Sequence, residues 1–285
     1  MKASALEFRL RMWIQVVIVS LGFWSPWLGA QDFSRRVSTL EWLALELSRT
    51  GLMAFRYAAP VVIVLAALVA GAGMILRVWG AAWLGYYTVH NAEMQAGGVM
   101  TGGPFRFMRN PLYVGGWFIM IALSLIMPPT GALFTIVLMA VHFLRLILGE
   151  EAFLAGKLGG PYREYLRAVP RIVPRLRPAL PRVSGRPTYG RAILTEITAI
   201  GIFVTVAFLS WRFDNELMVE GVVGAFLLSM LVKGFIEAPI ATGVFLVSAA
   251  AAWKVFHLNA VRTCLIALGL SIIAGALTPK RKEKA

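Results

Sequence analysis

The 285-residue sequence is poor in charge, in cysteine and in histidine. Only 15% of its residues are charged, whereas a soluble domain carries about a quarter. A globule of this length cannot bury the 59% of residues that are hydrophobic, so the composition excludes an ordinary soluble protein and indicates a lipid environment. The single cysteine excludes an internal disulfide, and the scattered histidines (His90, His142 and His257) predict no metal site.

Acidic residues are also scarce. The sequence has 14 aspartates and glutamates against 28 lysines and arginines, which gives a formal net charge of +14. Such an excess occurs in nucleic-acid-binding proteins. Here, however, the basic residues separate apolar runs, and no distinct polar domain is present in the sequence to hold a nucleic acid. The pattern favours basic loops on the cytoplasmic side of a membrane, and we expect membrane lipids rather than nucleic acid as partners.

Apolar runs long enough to cross a bilayer dominate the sequence and predict an all-α, multi-pass bundle of about eight spans. The first run also resembles a signal peptide, but Trp24, Pro26 and Trp27 favour a retained span with an interfacial end. Residues 33–56 mix charge with leucine and predict an amphipathic interfacial helix. The predicted spans are about 10–30, 57–86, 112–127, 131–148, 192–211, 217–232, 239–253 and 258–278.

The third and fourth spans form a predicted hairpin, because Pro128-Pro129-Thr130 between them is uncharged and cannot continue a helix. With the N-terminus inside, eight spans place both termini and the polar loops at 88–111 and 149–191 on the cytoplasmic side. The sequence then divides into three regions. These are an N-terminal span with its interfacial helix (1–56), a core with a cytoplasmic segment (57–190) and a C-terminal helical membrane extension (191–285).

The densest motif, GGPFRFMRNPLYVG at residues 102–115, lies at the start of the hairpin. Asn110 is a predicted N-cap, and Pro111 suits the first helical position. Arg106 and Arg109 would strengthen this helix start as a site for a carboxylate, and the two opening glycines would let the backbone approach a ligand. An alternative is that these arginines only mark topology at the lipid headgroups.

A second cluster follows the hairpin and contains GEEAFL (149–154), LGGPYREYL (158–166) and VPRIVP (169–174). Two adjacent acids at the exit of a span are costly in lipid. They are either solvated at the interface or paired with cations. Because a hairpin brings its two ends together, we expect Arg109 and Glu150 on the same face of the membrane.

Together these strings resemble the isoprenylcysteine carboxyl methyltransferase family, which groups with the wider phospholipid methyltransferases. The resemblance covers about residues 74–175. It implies a methyltransferase-like core that transfers a methyl group from S-adenosylmethionine to a lipid-like or prenylated acceptor from the bilayer, with carboxyl O-methylation of isoprenylcysteine type favoured over phospholipid N-methylation. The family motif reads Arg-His-Pro, whereas this sequence has Asn110 in the middle, and asparagine cannot exchange protons near neutral pH.

The resemblance also implies roles for individual residues. Arg109 and Glu150 would orient the reacting groups, and Glu150 would be the base for an amine acceptor. Tyr162 and Tyr165 would form part of a lid over the cofactor, with interfacial anchoring as the alternative. The residues expected to enclose S-adenosylmethionine are Gly103, Pro104, Asn110, Pro111, Tyr113 and Glu151.

Several alternatives stay open at this point. His142 and Arg145 share one face of a predicted span, where they either line a cavity or pair structurally. The substitution at Asn110 is compatible with a methyltransferase-like scaffold that has lost catalysis. A transporter would predict internal repeats, broken helices or several intramembrane charges, and the sequence shows no convincing repeat.

Overall fold

The computed structural model describes residues 2–23, 37–84, 99–181, 186–237 and 242. Every regular element in this part of the chain is helical, which confirms the predicted all-α fold. The chain divides into two units, residues 1–225 and 226–285. In chain order the α-helices are α1 (Ala5–Arg9), α2 (Arg11–Phe23), α3 (Thr39–Arg49), α4 (Phe55–Leu84), α5 (Pro111–Ser124), α6 (Pro129–Leu158), α7 (Gly160–Ala168), α8 (Tyr189–Thr195), α9 (Ile197–Val204) and α10 (Asn215–Glu237).

Three helices are long and apolar enough to cross a membrane: α4, α6 and the Glu216–Phe235 part of α10. A fourth span is possible if α8 and the segment Ile197–Arg212, which meet at a bend of 68°, count as one. The helices α2 and α5 are apolar but shorter. An integral membrane protein is therefore supported, while the predicted count of eight is not confirmed, because residues 24–36, 85–98, 238–241 and 243–285 lie outside the described residues.

The predicted hairpin is formed by α5 and α6, but its boundaries differ from those predicted. Pro129 is the first residue of α6 rather than part of the turn, since a proline fits where the helical N–H has no partner. The helix then continues past Leu148 through Gly149 and Gly156 to Leu158, and it ends at Gly159, which has a φ of +63°. The helix therefore extends ten residues beyond the predicted span end at Leu148, and the acidic pair lies within a helix.

Close packing of α4 against α5 sets the position of the hairpin. A Cβ atom added at Gly73 would lie 2.8 Å from the carbonyl oxygen of Gly115, and one added at Gly115 would lie 2.7 Å from that of Gly73. Small residues let two membrane helices approach this closely. Farther along the same contact, Gly80 of α4 faces Leu112, so the start of α5 is packed near the end of α4.

The predicted amphipathic helix within 33–56 is present as α3. It begins with a capping box, in which the backbone N–H of Glu41 donates to Ser38 Oγ (3.2 Å) and that of Ser38 donates to Glu41 Oε2 (2.9 Å). Its buried face carries Leu40 and Ala44, which pack against α4. The backbone N–H of Thr39 also donates to the carbonyl oxygen of Met127 in the hairpin turn (2.8 Å). The location of α3 at the membrane interface stays a prediction.

Candidate functional site

The candidate site is built around Glu151, a buried carboxylate near the end of α6. Arg109 Nε lies 2.9 Å from Glu151 Oε1, and Asn110 Nδ2 donates to the same oxygen at 3.2 Å. Arg171 approaches the other oxygen, Oε2, with Nε at 3.0 Å and Nη2 at 2.9 Å. The Glu151 side chain is only 8% exposed, so these donors compensate a charge that would otherwise be costly to bury.

Arg109 joins the start of the hairpin to the end of α7. Its Nη1 atom donates to the carbonyl oxygens of Leu166 and Val169, the latter at 2.7 Å. Its backbone N–H donates to the carbonyl oxygen of Pro170 at 2.9 Å. The motif before α5 and the VPRIVP string, which are distant in sequence, therefore meet at one end of the hairpin.

Asn110 occupies the N-cap position of α5, but the prediction that its side chain caps the helix is wrong, since no such hydrogen bond forms. Capping requires the side-chain oxygen to accept from the first turn. Instead, the amide Nδ2 donates to Glu151 and to the carbonyl oxygen of Arg171 (3.1 Å). Both acceptors lie away from the first turn of α5, so the amide nitrogen faces the acidic site rather than its own helix.

Glu150 has a different partner from its neighbour. The hydroxyl of Tyr113 donates to Glu150 Oε2 at 3.0 Å, and the tyrosine ring lies 5.9 Å from that of Phe143. Consecutive residues on an α-helix point about 100° apart, so the two acids serve two sides of α6. The two ends of the hairpin lie together as expected, but the ion pair joins Arg109 to Glu151, not to Glu150.

Trp83 occupies the space that the glycines were predicted to leave for a ligand. A Cβ atom added at either Gly102 or Gly103 would overlap the indole ring of Trp83, and Gly103 has a φ of +52°. The indole thus fills the Cβ side of both glycines, and the role of Gly103 in enclosing a ligand stays a prediction. The indole Nε1 is buried and has no acceptor among the described residues. Pro104 beside it is also buried.

Tyr162 and Tyr165 lie on α7 with their rings 5.8 Å apart, and each is 6% exposed. The hydroxyl of Tyr165 donates to the carbonyl oxygen of Phe105 at 2.9 Å, which ties α7 to the turn before the hairpin. Burial raises the pKa of both phenols above the usual range, so they stay protonated. Both side chains pack inside the protein, and their role as part of a lid stays a prediction.

A shallow depression of about 320 Å³ opens beside Arg109. This volume is at the small end of the range for ligand sites, which begins at about 300 Å³. Its lining combines the carbonyl-rich end of α7 with three arginines. The lining residues are Arg109, Leu166, Arg167, Ala168, Val169, Pro170 and Arg175.

Sequence reasoning gave no role to Arg171, although it lies within the VPRIVP string. It also missed two ion pairs that join distant parts of the chain. Arg77 in α4 binds Glu196, which lies between α8 and α9, with Nε 2.5 Å from Oε2 and Nη2 3.0 Å from Oε1. Each pair joins residues more than a hundred positions apart, and neither partner belongs to a recognisable motif.

The second missed pair settles one alternative left open by the sequence. Arg145 donates to both carboxylate oxygens of Glu7 in α1, at 2.8 and 2.7 Å. It is therefore structurally paired. His142, one turn earlier, is buried with Nδ1 3.9 Å from Glu7 Oε1, and its Nε2 has no partner among the described residues.

The fold and the site thus define an integral membrane protein with a polar centre at one end of a helical hairpin. Residues 61–159 match the family model described as phospholipid methyltransferase. The matched range includes the hairpin and the acidic pair, and it confirms the predicted resemblance to the isoprenylcysteine carboxyl and phospholipid methyltransferase superfamily. The match indicates a membrane methyltransferase. No curated protein and no solved structure matches the chain significantly.

Proposed function

We propose that this protein transfers a methyl group from S-adenosylmethionine to a lipid-like acceptor drawn from the membrane. The observation that carries the proposal is the Glu151 centre, where one acid of the pair, the Arg109-Asn110-Pro111 motif and the segment after α7 meet within hydrogen-bonding distance. The family match over 61–159 covers two of these three parts. We place the centre at the cytoplasmic surface, since the most basic loops adjoin it.

The charged groups of this centre suit the amino-acid end of S-adenosylmethionine. Glu151 matches its ammonium group, while Arg109 and Arg171 match its carboxylate. The side chain of Arg171 is 43% exposed, whereas that of Arg109 is 9% exposed, so Arg171 can turn outward and leave the buried pair in place. The depression beside Arg109 offers a route of entry. When bound, the sulfonium supplies an already activated methyl group.

The remaining task of the protein is to align the acceptor and exclude water, because methyl transfer is an in-line displacement. A carboxylate acceptor needs no general base, but an amine must first lose a proton. Glu150, the candidate base, already accepts a hydrogen bond from Tyr113. This supports carboxyl O-methylation of isoprenylcysteine type over phospholipid N-methylation, with Arg109 and Glu150 orienting the reacting groups.

Calorimetric titration of the detergent-solubilised protein with S-adenosylmethionine tests the proposal. We expect saturable binding that Glu151→Gln weakens by roughly ten- to a hundredfold, because a charge-assisted hydrogen bond contributes about 1.5 to 3 kcal/mol. Glu46→Gln is the matched control, since Glu46 pairs with Arg49 on the surface of α3 and binding should not change. Absence of saturable heat with folded wild-type protein would overturn the cofactor assignment.

Transfer of labelled methyl to two added acceptors, a prenylated cysteine and phosphatidylethanolamine, identifies the acceptor class. Incorporation into the prenylated cysteine is expected. Incorporation only into the amine would reassign the acceptor and make Glu150 its base. Binding without any incorporation would indicate a catalytically inactive scaffold, whereas a transporter would show neither.

A further inference from the structure

The segment 171–177, with the sequence RIVPRLR, lies exposed over the candidate site; we call it the arginine strap. Its hydrophobic side chains are unusually open to solvent, with Leu176 101% and Val173 74% exposed. Single exposed leucines are common in proteins, but here they alternate with arginines in one short stretch. A basic loop surrounded only by water would gain no stability from exposing these apolar side chains.

The strap is held at the end of the membrane hairpin. The backbone N–H of Arg175 donates to the carbonyl oxygen of Phe107 at 3.1 Å, and that of Ala179 donates to the carbonyl oxygen of Arg106 at 2.9 Å. Both acceptors lie a few residues before Pro111, where the apolar helix α5 begins. The backbone of the strap is thus fixed at the end of the hairpin where the apolar helix α5 begins.

The charge around the strap has one sign. Nine lysines and arginines occur between Lys157 and Arg191, against a single acid, Glu164. Clustered basic residues beside a membrane helix attract anionic lipids, and apolar side chains among them can enter the interface. An acidic protein would satisfy the arginines but would not require a fully exposed leucine between two of them.

We propose that the arginine strap docks on the bilayer surface, with Arg175 and Arg177 on anionic phospholipid headgroups and Val173 and Leu176 in the acyl boundary. This interaction goes beyond the proposed methyl transfer, since neither the cofactor nor the acceptor takes part in it, although Arg175 also lines the depression beside Arg109 and donates to the carbonyl oxygen of Ala168 at 3.3 Å. It also anchors the segment that contributes Arg171 to the Glu151 centre.

A nitroxide label at Leu176 in the full-length chain tests the proposal. The background is Cys264→Ser, and the label enters through Leu176→Cys. The protein is placed in nanodiscs of phosphatidylcholine alone or mixed with phosphatidylglycerol. We expect phosphatidylglycerol to reduce collisions of the label with an aqueous nickel chelate severalfold and to increase those with oxygen. High salt should weaken this response.

Two charge variants separate a local effect from net charge. Arg175→Gln/Arg177→Gln should abolish the response to phosphatidylglycerol, whereas Arg49→Gln/Arg56→Gln, which removes the same charge elsewhere, should retain it. Equal exposure of the label in both nanodiscs, or an unchanged response in the strap variant, overturns the proposal. Protection by soluble polyglutamate but not by phosphatidylglycerol would overturn it too, in favour of an acidic protein partner.

Discussion

At the scale of single residues, the site depends on two donors, Arg109 and Asn110, that each serve more than one acceptor. Asn110 is the clearest case, because its single amide nitrogen bonds both Glu151 and the backbone of Arg171. An imidazole nitrogen carries at most one hydrogen, so the histidine of the family motif cannot reproduce both bonds from one atom. Asparagine in place of the family histidine thus joins Glu151 to the backbone of Arg171 through one atom.

We predict that Asn110→His destabilises the protein by about 1 kcal/mol, the usual net contribution of one hydrogen bond. The lost bond is expected to be the one to the Arg171 carbonyl, since the carboxylate of Glu151 is the stronger acceptor. Thermal unfolding in detergent measures the change, and limited proteolysis after Arg171 reports whether the strap loosens. A variant as stable as wild type and equally protected would contradict this account.

Gly103 is a second position at which a single substitution should lower the stability of the fold. Gly103→Ala places a Cβ against the indole of Trp83 in a backbone conformation with φ of +52°, which side chains other than glycine seldom adopt. Overpacking of this kind costs about 1 to 3 kcal/mol. Gly156→Ala is the matched control, since nothing lies within 4 Å of its added Cβ and alanine favours a helix. Only the first should lower the melting temperature.

At the scale of elements, the short helix α1 is tied to α6 by charge. Arg145 binds Glu7 through two hydrogen bonds, and the backbone N–H of Ala3 donates to the carbonyl oxygen of Arg145 at 3.0 Å. The hydrogen bonds from Arg145 hold the pKa of Glu7 below its ordinary value of 4.5. The N-terminal residues are therefore attached more firmly in the ionised state of Glu7.

The pH dependence of this attachment follows from the sign of the shift. A carboxyl group whose pKa is lowered by folding stabilises the fold above its unfolded pKa and loses that effect as the pH falls through the folded value. Glu7→Gln should therefore lower the melting temperature near pH 7, and the difference from wild type should shrink below about pH 4.5. A difference that stays constant through this range would show that ionisation of Glu7 is irrelevant.

At the scale of the whole molecule, the Arg77–Glu196 pair connects the part that matches the family with the residues that follow it. Arg77 lies within 61–159, and Glu196 lies at the 68° bend between α8 and α9. Arg77 also donates to the carbonyl oxygen of Leu112 at 3.3 Å, near the start of the hairpin. The bend is thereby positioned against both α4 and α5.

Breaking this pair should cost about 3 to 5 kcal/mol when one buried charge is left uncompensated. We predict that Arg77→Met and Glu196→Gln each lower the melting temperature strongly, while the double variant is less affected than the sum of the two. Arg49→Met is the control, because the exposed Arg49–Glu46 pair contributes little. Additive losses in the double variant would show that the two residues act independently.

The sequence by itself determined the membrane environment, the helical class, the hairpin and its family resemblance. These follow from apolar runs, prolines and contiguous strings, which are properties of neighbouring residues. The tertiary structure decided which acid binds Arg109, which way the Asn110 amide points and what fills the space beside Gly103. The first two outcomes depend on competition between donors and acceptors far apart in the chain, such as Arg171 and Glu151, and the third depends on how the Trp83 ring packs. Helical periodicity encodes neither.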